Sequence, residues 1–287
     1  MTNTDVKILN GVHPPLEGVG AKKLVSLDVD GTLVNHDGHM SPRVREAALA
    51  VVNAGHHVVV STGRSLGATL PIIELLEIER GHAVASNGGV TLRVDANQSN
   101  GFEVIDRRTF QPGQVLRKLR DAMPTAKFAL ETVTGEFLAT ERFQDMSFGV
   151  DARGVSFDQL LEIETVRLVV FSTDTSAEDF GEAVQKIGLH GVTYSVGYSA
   201  WLDIAAEGIS KASALQGLQE RLISAGHEIS QTVAVGDGRN DIEMLTWADR
   251  GVAMGQAPDE VKNVANEVTG AVEADGLADV LESLLED

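Results

Sequence analysis

The most constraining stretch of this 287-residue chain is Leu24-Val25-Ser26-Leu27-Asp28-Val29-Asp30-Gly31-Thr32-Leu33-Val34. Its first half is a short apolar run without helical spacing, the pattern of a strand buried on both faces. It breaks off into two carboxylates one residue apart, then Gly-Thr. In an open parallel sheet, ligands gather beyond the carboxyl ends of the strands. Asp28 and Asp30 are therefore expected where chemistry is done, with Gly31 turning the chain away sharply. A strand that merely stops at a polar turn is the plainer reading of the same residues.

The rest of the chain repeats this style, interrupts it, and resumes it. Ser41-Pro42 reads as a helix start, and Val44, Ala47, Ala48, Val51 and Val52 follow at helical spacing as far as Gly55. His57-Val58-Val59-Val60 is a second buried strand ending in Ser61-Thr62-Gly63-Arg64. A helix over 66–77 and an apolar strand over 82–85 lead to Ser86-Asn87-Gly88-Gly89. From Val90 the pattern alternates more. Strands are expected at 102–106, 126–131, 135–139, 166–172, 192–196 and 201–205, and helices at 112–123 and 177–187. Past Glu207 the first style returns. A helix opens at Ile209-Ser210-Lys211, and a strand over 232–235 ends in Gly236-Asp237-Gly238-Arg239-Asn240-Asp241. A helix over 242–248, a strand over 251–254 and helices over 258–265 and 277–285 complete the chain.

The predicted fold class is α/β, a doubly wound, Rossmann-like parallel-sheet core with an inserted α+β cap domain. The core takes residues 22–88 and 208–287, and the cap 89–207, hinged near Gly88-Gly89 and Glu207-Gly208. Residues 1–21, rich in glycine and proline, read as a loose leader without the features of a secretory signal.

Charge narrows the partners. The chain carries 42 acidic against 23 basic residues, a formal net charge of −19. Such a surface repels phosphodiester backbones and anionic lipids, so neither nucleic acid nor membrane is an expected partner. An anionic small molecule would need local cations. No apolar run is long enough for a membrane span, and cysteine is absent, which suits a cytoplasmic location.

Polar groups collect at the ends of the apolar runs: Asp28 and Asp30, Ser61 and Thr62, Lys211, and Asp237 with Asn240 and Asp241. Carboxylates converging with a lysine suit a metal and a phosphate. Mg2+ takes hard oxygen ligands, and Asp28 and Asp237 could hold it, while Lys211 adds positive field. A carboxylate can also act as nucleophile and form an aspartyl-phosphate.

The motifs Asp28-Val29-Asp30-Gly31-Thr32, Ser61-Thr62-Gly63-Arg64, Gly208-Ile209-Ser210-Lys211 and Gly236-Asp237-Gly238-Arg239-Asn240-Asp241 resemble, in this order, those of the haloacid dehalogenase superfamily. The long insert, Ala253-Met254-Gly255 and Asp275-Gly276-Leu277 are similar to its Cof-type, large-cap phosphatases. The resemblance implies Asp28 as nucleophile and Asp30 as acid and base, with its carbonyl on the metal. It implies Thr62 and Lys211 on the phosphoryl group, Asp237 as a Mg2+ ligand, and Asn240 and Asp241 in support of phosphate and metal, with Asp241 counted among the ligands. Gly63, Arg64 and Asn87 join the candidate phosphate- and substrate-binding residues. Val29, Arg239 and Gln256 depart from the commoner choices; the family usually has asparagine at the last.

The implied activity is Mg2+-dependent hydrolysis of a small phosphorylated metabolite, a sugar phosphate above all. A phosphotransferase or phosphosugar mutase using the same aspartyl-phosphate is the alternative, and a non-enzymatic phospho-accepting module, without a cap, a third. Cap residues Glu131, Thr132, Glu141 and Arg142 are candidate selectors of the substrate. Arg64 is open between ion-pair partner and substrate contact. Asn87 is expected at hinge and site rim together. His36, Asp37 and His39 read as a polar loop rather than a zinc site, His56-His57 as a strand entry, and Tyr194, Tyr198 and Trp201 as core or cap surface.

Overall fold

The computed structural model describes residues 22–141, 151–197 and 199–286. The leader over 1–21 lies outside them, as do Arg142 and Tyr198. The chain opens with β1 (Lys22–Leu27), α1 (Pro42–Asn53), β2 (His57–Ser61), α2 (Leu66–Leu75) and β3 (Arg80–Ala85). The helix starts follow from their residues: the Ser41 hydroxyl accepts the Val44 N–H at 3.1 Å with Pro42 behind it, and Ser65 caps α2 through the Ala68 N–H. Next come β4 (Val90–Asp95), β5 (Phe102–Arg107), α3 (Gly113–Ala122), β6 (Lys127–Thr132), β7 (Phe137–Ala139) and β8 (Arg153–Gly154). After them stand α4 (Phe157–Leu160), β9 (Thr165–Phe171), α5 (Ala177–Ile187), β10 (Val192–Val196) and β11 (Trp201–Ala206). The last part holds α6 (Lys211–Ser224), β12 (Ile229–Gly236), α7 (Ile242–Trp247), β13 (Arg250–Ala253), α8 (Asp259–Lys262), β14 (Glu267–Val268) and α9 (Gly276–Ser283).

The strands form two sheets, as an α/β fold with a parallel core requires. The larger runs β14-β13-β12-β1-β2-β3-β4-β5 and is parallel from β14 to β3. Both its faces are covered, which is why its strands read as unbroken apolar runs. Val25 and Leu27 pack with Val44, Ala48, Leu277 and Leu281 on one side, and Leu24 packs with Leu215, Leu218 and Met244 on the other. The second sheet runs β10-β11-β9-β6-β7-β8 and buries one face, through Phe128, Leu168 and Leu202, against Leu116 and Leu119 of α3 and Phe180 of α5. Its alternate residues Glu131, Arg167 and Asp203 belong to the opposite face.

One boundary differs from the sequence expectation. A cap beginning at residue 89 would contain β4 and β5, yet these strands continue the larger sheet as an antiparallel hairpin, with Val84 opposite Thr91 and Thr91 opposite Asp106. The chain leaves that sheet after Arg107, so Gly88-Gly89 lies inside the core and is not the crossing to the insert. The cause of the misreading is partial cover: β5 is half-buried along its length and so alternates like a strand of a separate unit. Gly208, at φ +74 with open space around it, lies between β11 of the second sheet and α6. Among smaller differences, α8 is shorter than the 258–265 helix, and β4, β8, α4 and β14 were not foreseen. No helix of the described residues is long and apolar enough to cross a membrane.

Leu92 is fully buried in the larger sheet's core. Leu92→Ala should therefore cost about 2–5 kcal/mol. The chain's two tryptophans, Trp201 in the second sheet and Trp247 beside the larger one, allow the units to be followed separately in denaturant. A shift confined to the Trp201 signal would place the β4–β5 hairpin with the insert.

Candidate active site

Three adjacent strands gather the polar residues. β1 lies between β12 and β2, with Leu27 level with Val235 on one side and Val60 on the other. Asp28, Thr62 and Asp237 follow these ends and so share one edge of the sheet. Gly31 has φ +82, and a Cβ there would stand 2.2 Å from an Asp237 carboxylate oxygen. Glycine is thus required twice over, by the backbone and by the approach of the β12 loop.

Lys211 is the first residue of α6, behind the Ser210 cap, and is fully buried. Its ammonium donates to Asp28 Oδ1 at 2.6 Å and to Asp241 Oδ1 at 2.7 Å. Asp241 Oδ2 accepts the backbone N–H groups of Asp237 at 3.1 Å and Gly238 at 2.9 Å. Asp28, Asp237 and Asp241 each offer an oxygen within 4.8 Å of the others. Three carboxylates around one ammonium leave excess negative charge in a dry place. Burial, then Asp241, raises Asp28 well above the ordinary carboxylate value, against the pull of Lys211. Burial and Asp241 likewise push Asp237 up to about 6. Burial alone would lower Lys211, but Asp241 and Asp28 outweigh it and hold the ammonium above its usual value.

This donor set fits a hard divalent cation, which would balance the surplus charge. Within it Asp241, expected among the ligands, also has both oxygens accepting hydrogen bonds from protein donors. Its position explains this: it follows the Gly236–Asn240 loop and closes the loop back on itself.

Asp30 faces the other way. Its carboxylate is largely exposed and receives two hydrogen bonds from Arg64, at 2.9 and 2.5 Å. The open question about Arg64 is thereby answered in this conformation: it is an ion-pair partner, and its partner is Asp30. Thr62 is buried, with its hydroxyl accepting the Arg64 N–H at 3.1 Å. Asn87 Oδ1 accepts from Asn240 Nδ2 at 3.0 Å and lies where a Cβ on Gly63 would crowd it. Gly63, Asn87 and Asn240 therefore meet. Gln256, the departure noted above, donates to the Gly31 carbonyl at 2.6 Å and to Asp237 Oδ2 at 3.2 Å, and accepts the Val272 N–H at 3.0 Å. Its longer side chain straps the loop after β12 to the loop after β1.

A cavity of about 240 Å³ opens between this edge and the second sheet. Core residues Asn87, Lys211 and Asn240 line one side, and Arg167, Tyr194 and Asp203 the other. Of the sequence candidates for this wall, the described ones, Glu131, Thr132 and Glu141, do not line it. Glu131 is buried on the Ser86 hydroxyl, Thr132 turns to Thr134, and Glu141 pairs with Lys127 on the surface. Arg167 donates to Asp203 at 2.5 Å, and Asp203 also accepts the Trp201 indole N–H at 2.9 Å. A lone arginine in the apolar Thr165–Phe171 run, and a lone aspartate in Trp201–Ala206, were the signals that could have found them. Tyr194, expected as core or cap surface, is exposed and lines the cleft. His36 and His39 are exposed in a loop that Asn35 ties through the Asp37 and His39 N–H groups, as a polar loop should be.

Residues 25–281 match the haloacid dehalogenase-like hydrolase family. Among curated proteins, the chain is 27% identical over 273 residues to the putative phosphatase YkrA of Bacillus subtilis, covering 91% of this chain and 97% of that one. It is 31% identical over 265 residues to the 5-amino-6-(5-phospho-D-ribitylamino)uracil phosphatase YcsE of the same organism, covering 89% and 93%. Among solved structures, a haloacid dehalogenase-like hydrolase from B. subtilis superposes with a TM-score of 0.75 at 24% identity, over 91% of this chain and 99% of that one. The chain belongs to the haloacid dehalogenase-like hydrolases and is, like its curated relatives, of the phosphoric monoester hydrolase kind.

Proposed function

We propose that the protein is a Mg2+-dependent phosphatase that hydrolyses a small phosphorylated metabolite through an aspartyl-phosphate on Asp28. The observation that carries this reading is the buried Lys211 bridging Asp28 and Asp241 beside Asp237, at the strand ends that also present Thr62. Asp28 and Asp237, with the Asp30 carbonyl, would hold Mg2+, and Asp241 would anchor Lys211 and the Asp237 loop. Bound there, the metal supplies positive charge to the phosphoryl oxygens.

The residues divide the work. An Asp28 oxygen attacks phosphorus as the bond to the leaving oxygen breaks, and Asp30 gives that oxygen its proton. Asp30 then takes a proton from water, whose oxygen attacks phosphorus and releases phosphate from Asp28. Lys211 neutralises Asp28 and the phosphoryl group, Thr62 and the Gly63 region receive its oxygens, and Asn87 and Asn240 close the rim. In this conformation the Asp30 carboxylate is turned to Arg64. Service at the leaving oxygen requires Asp30 to turn away from Arg64, which frees a guanidinium for the substrate side.

The cleft sets the leaving group. Its Arg167–Asp203 pair, the Tyr194 phenol and the two asparagine amides suit a compact, hydroxyl-rich group such as a sugar or polyol. The relative YcsE, named for a phosphorylated ribityl compound, is consistent with that class.

Activity on p-nitrophenyl phosphate with Mg2+, lost on chelation, is the first test. Asp28→Asn should lower kcat by several powers of ten without altering the fold, because an amide is nearly isosteric but forms no acyl-phosphate. Asp30→Asn should harm alkyl phosphates more than the aryl phosphate, whose leaving group departs without a proton. Equal losses on both would remove Asp30 from the acid role.

The pH dependence follows from Asp237. Its folded value of about 6 lies above the ordinary 3.8. In the metal-free protein this group thus favours the folded state below its unfolded value, and that contribution is lost as pH rises through about 6. Mg2+ competes with the same proton. Asp28 is raised as well, so calorimetric Mg2+ affinity should fall by about tenfold or more per pH unit below that point.

A further inference from the structure

The turn after β3 has an unusual backbone. Ser86 and Asn87 stand at φ +52 and +51, followed by Gly88 at φ +101. Left-handed backbone is unfavourable for a residue that carries a Cβ, so two such residues in succession persist only when their surroundings hold them. The core supplies part of that hold: the Ser86 N–H donates to the Arg64 carbonyl at 2.7 Å and the Asn87 N–H to the Thr62 carbonyl at 3.0 Å.

The remaining hold comes from the other sheet. The Ser86 hydroxyl donates to Glu131 Oε2 at 2.6 Å. Glu131 lies on β6, is 1% exposed, and also accepts a hydrogen bond from the backbone of Leu66, the first residue of α2. Its cross-strand neighbour is Arg167. Burial raises its carboxyl above the ordinary value, while Ser86, Arg167, Leu66 and Arg107 draw it back. The chemistry derived above makes no use of this buried acid.

What the turn presents does matter. Asn87 reaches Asn240 and Gly63 at the site rim. Gly88 lies so close to the Ser210 carbonyl that a Cβ would stand 2.3 Å from it, immediately before Lys211. The turn thus touches the loop after β2, the loop after β12 and the start of α6.

We propose that Glu131 is a positioning residue: by holding Ser86 from the second sheet, it keeps the 86–88 turn left-handed and so sets Asn87 at the phosphate end of the site. Docking of the second sheet and ordering of the core site are then one event. The kinetic part of this proposal rests on the phosphatase reading; the backbone part does not.

Two substitutions at Ser86 separate strain from contact. Ser86→Ala removes the hydroxyl and keeps the Cβ, whereas Ser86→Gly removes both and adopts positive φ readily. In the full-length protein, Glu131→Ala should lower kcat on p-nitrophenyl phosphate by about tenfold, with apparent Mg2+ affinity retained. The same substitution in a Ser86→Gly background should cost little, and Ser86→Gly should be several-fold more active than Ser86→Ala. Amide exchange over residues 86–90, measured without ligand, should rise in Glu131→Ala and in Ser86→Ala.

A merely structural role would make Glu131→Ala equally costly in both backgrounds, and that result overturns the proposal. So does Ser86→Ala with unchanged exchange over 86–90, a comparison that remains even if Glu131→Ala does not fold. An unmodified protein without Mg2+-dependent activity would defeat the phosphatase reading alone, since the exchange measurements still decide the part played by Glu131.

Discussion

The rest of the site depends on one buried ammonium. Lys211 has no access to solvent and holds Asp28 and Asp241 at 2.6 and 2.7 Å. Removing one partner from a buried ion pair leaves a charge with no compensation, which is far costlier than losing a surface pair. Asp241 in turn orients the Asp237 and Gly238 amides. Strand order places Asp28 and Asp237 side by side, but this lysine keeps their mutual repulsion tolerable. The remaining negative charge, visible in the raised values of Asp28 and Asp237, is the reason a divalent cation suits the place.

Around that centre, loops from distant parts of the chain are tied in pairs. Gln256 joins the loop after β1 to the loop after β12. Asn240 joins the latter to the turn after β3. Arg64 joins the loop after β2 to Asp30. Ser86 and Glu131 extend the set to the second sheet. Each bond is ordinary in strength, yet each fixes the direction of a group needed by another, so the loops order together.

The Asp30–Arg64 pair is the exception to this economy of fixed groups. Arg64 is largely buried, but the Asp30 carboxylate is mostly open to solvent, which eases the change of partner that the proposed acid–base role requires. The Arg167–Asp203 pair is placed differently: it is largely buried on the cleft face of the second sheet, where its direction is fixed.

Much of the core was legible in the chain. Unbroken apolar runs ending in Asp28, Thr62 and Asp237 announced parallel strands with chemistry at one edge, because burial on both faces leaves no room for alternation. Ser41-Pro42 announced a helix, because capping is local chemistry. Contacts at long separation were not legible. Nothing near Glu131 tells of Ser86, and nothing near Gln256 tells of Gly31; these pairs exist only once the strand order brings their segments together. The β4–β5 hairpin was misplaced for the same reason: half-buried alternation looks alike at the edge of one sheet and in the middle of another. Residue order by itself determined which strand ends carry carboxylates, hydroxyls and a lysine. Tertiary structure decided that Asp241 is a hub of protein hydrogen bonds, that Arg64 turns to Asp30, and which face of the second sheet looks into the cleft, since direction and partner depend on packing between elements that no local pattern encodes.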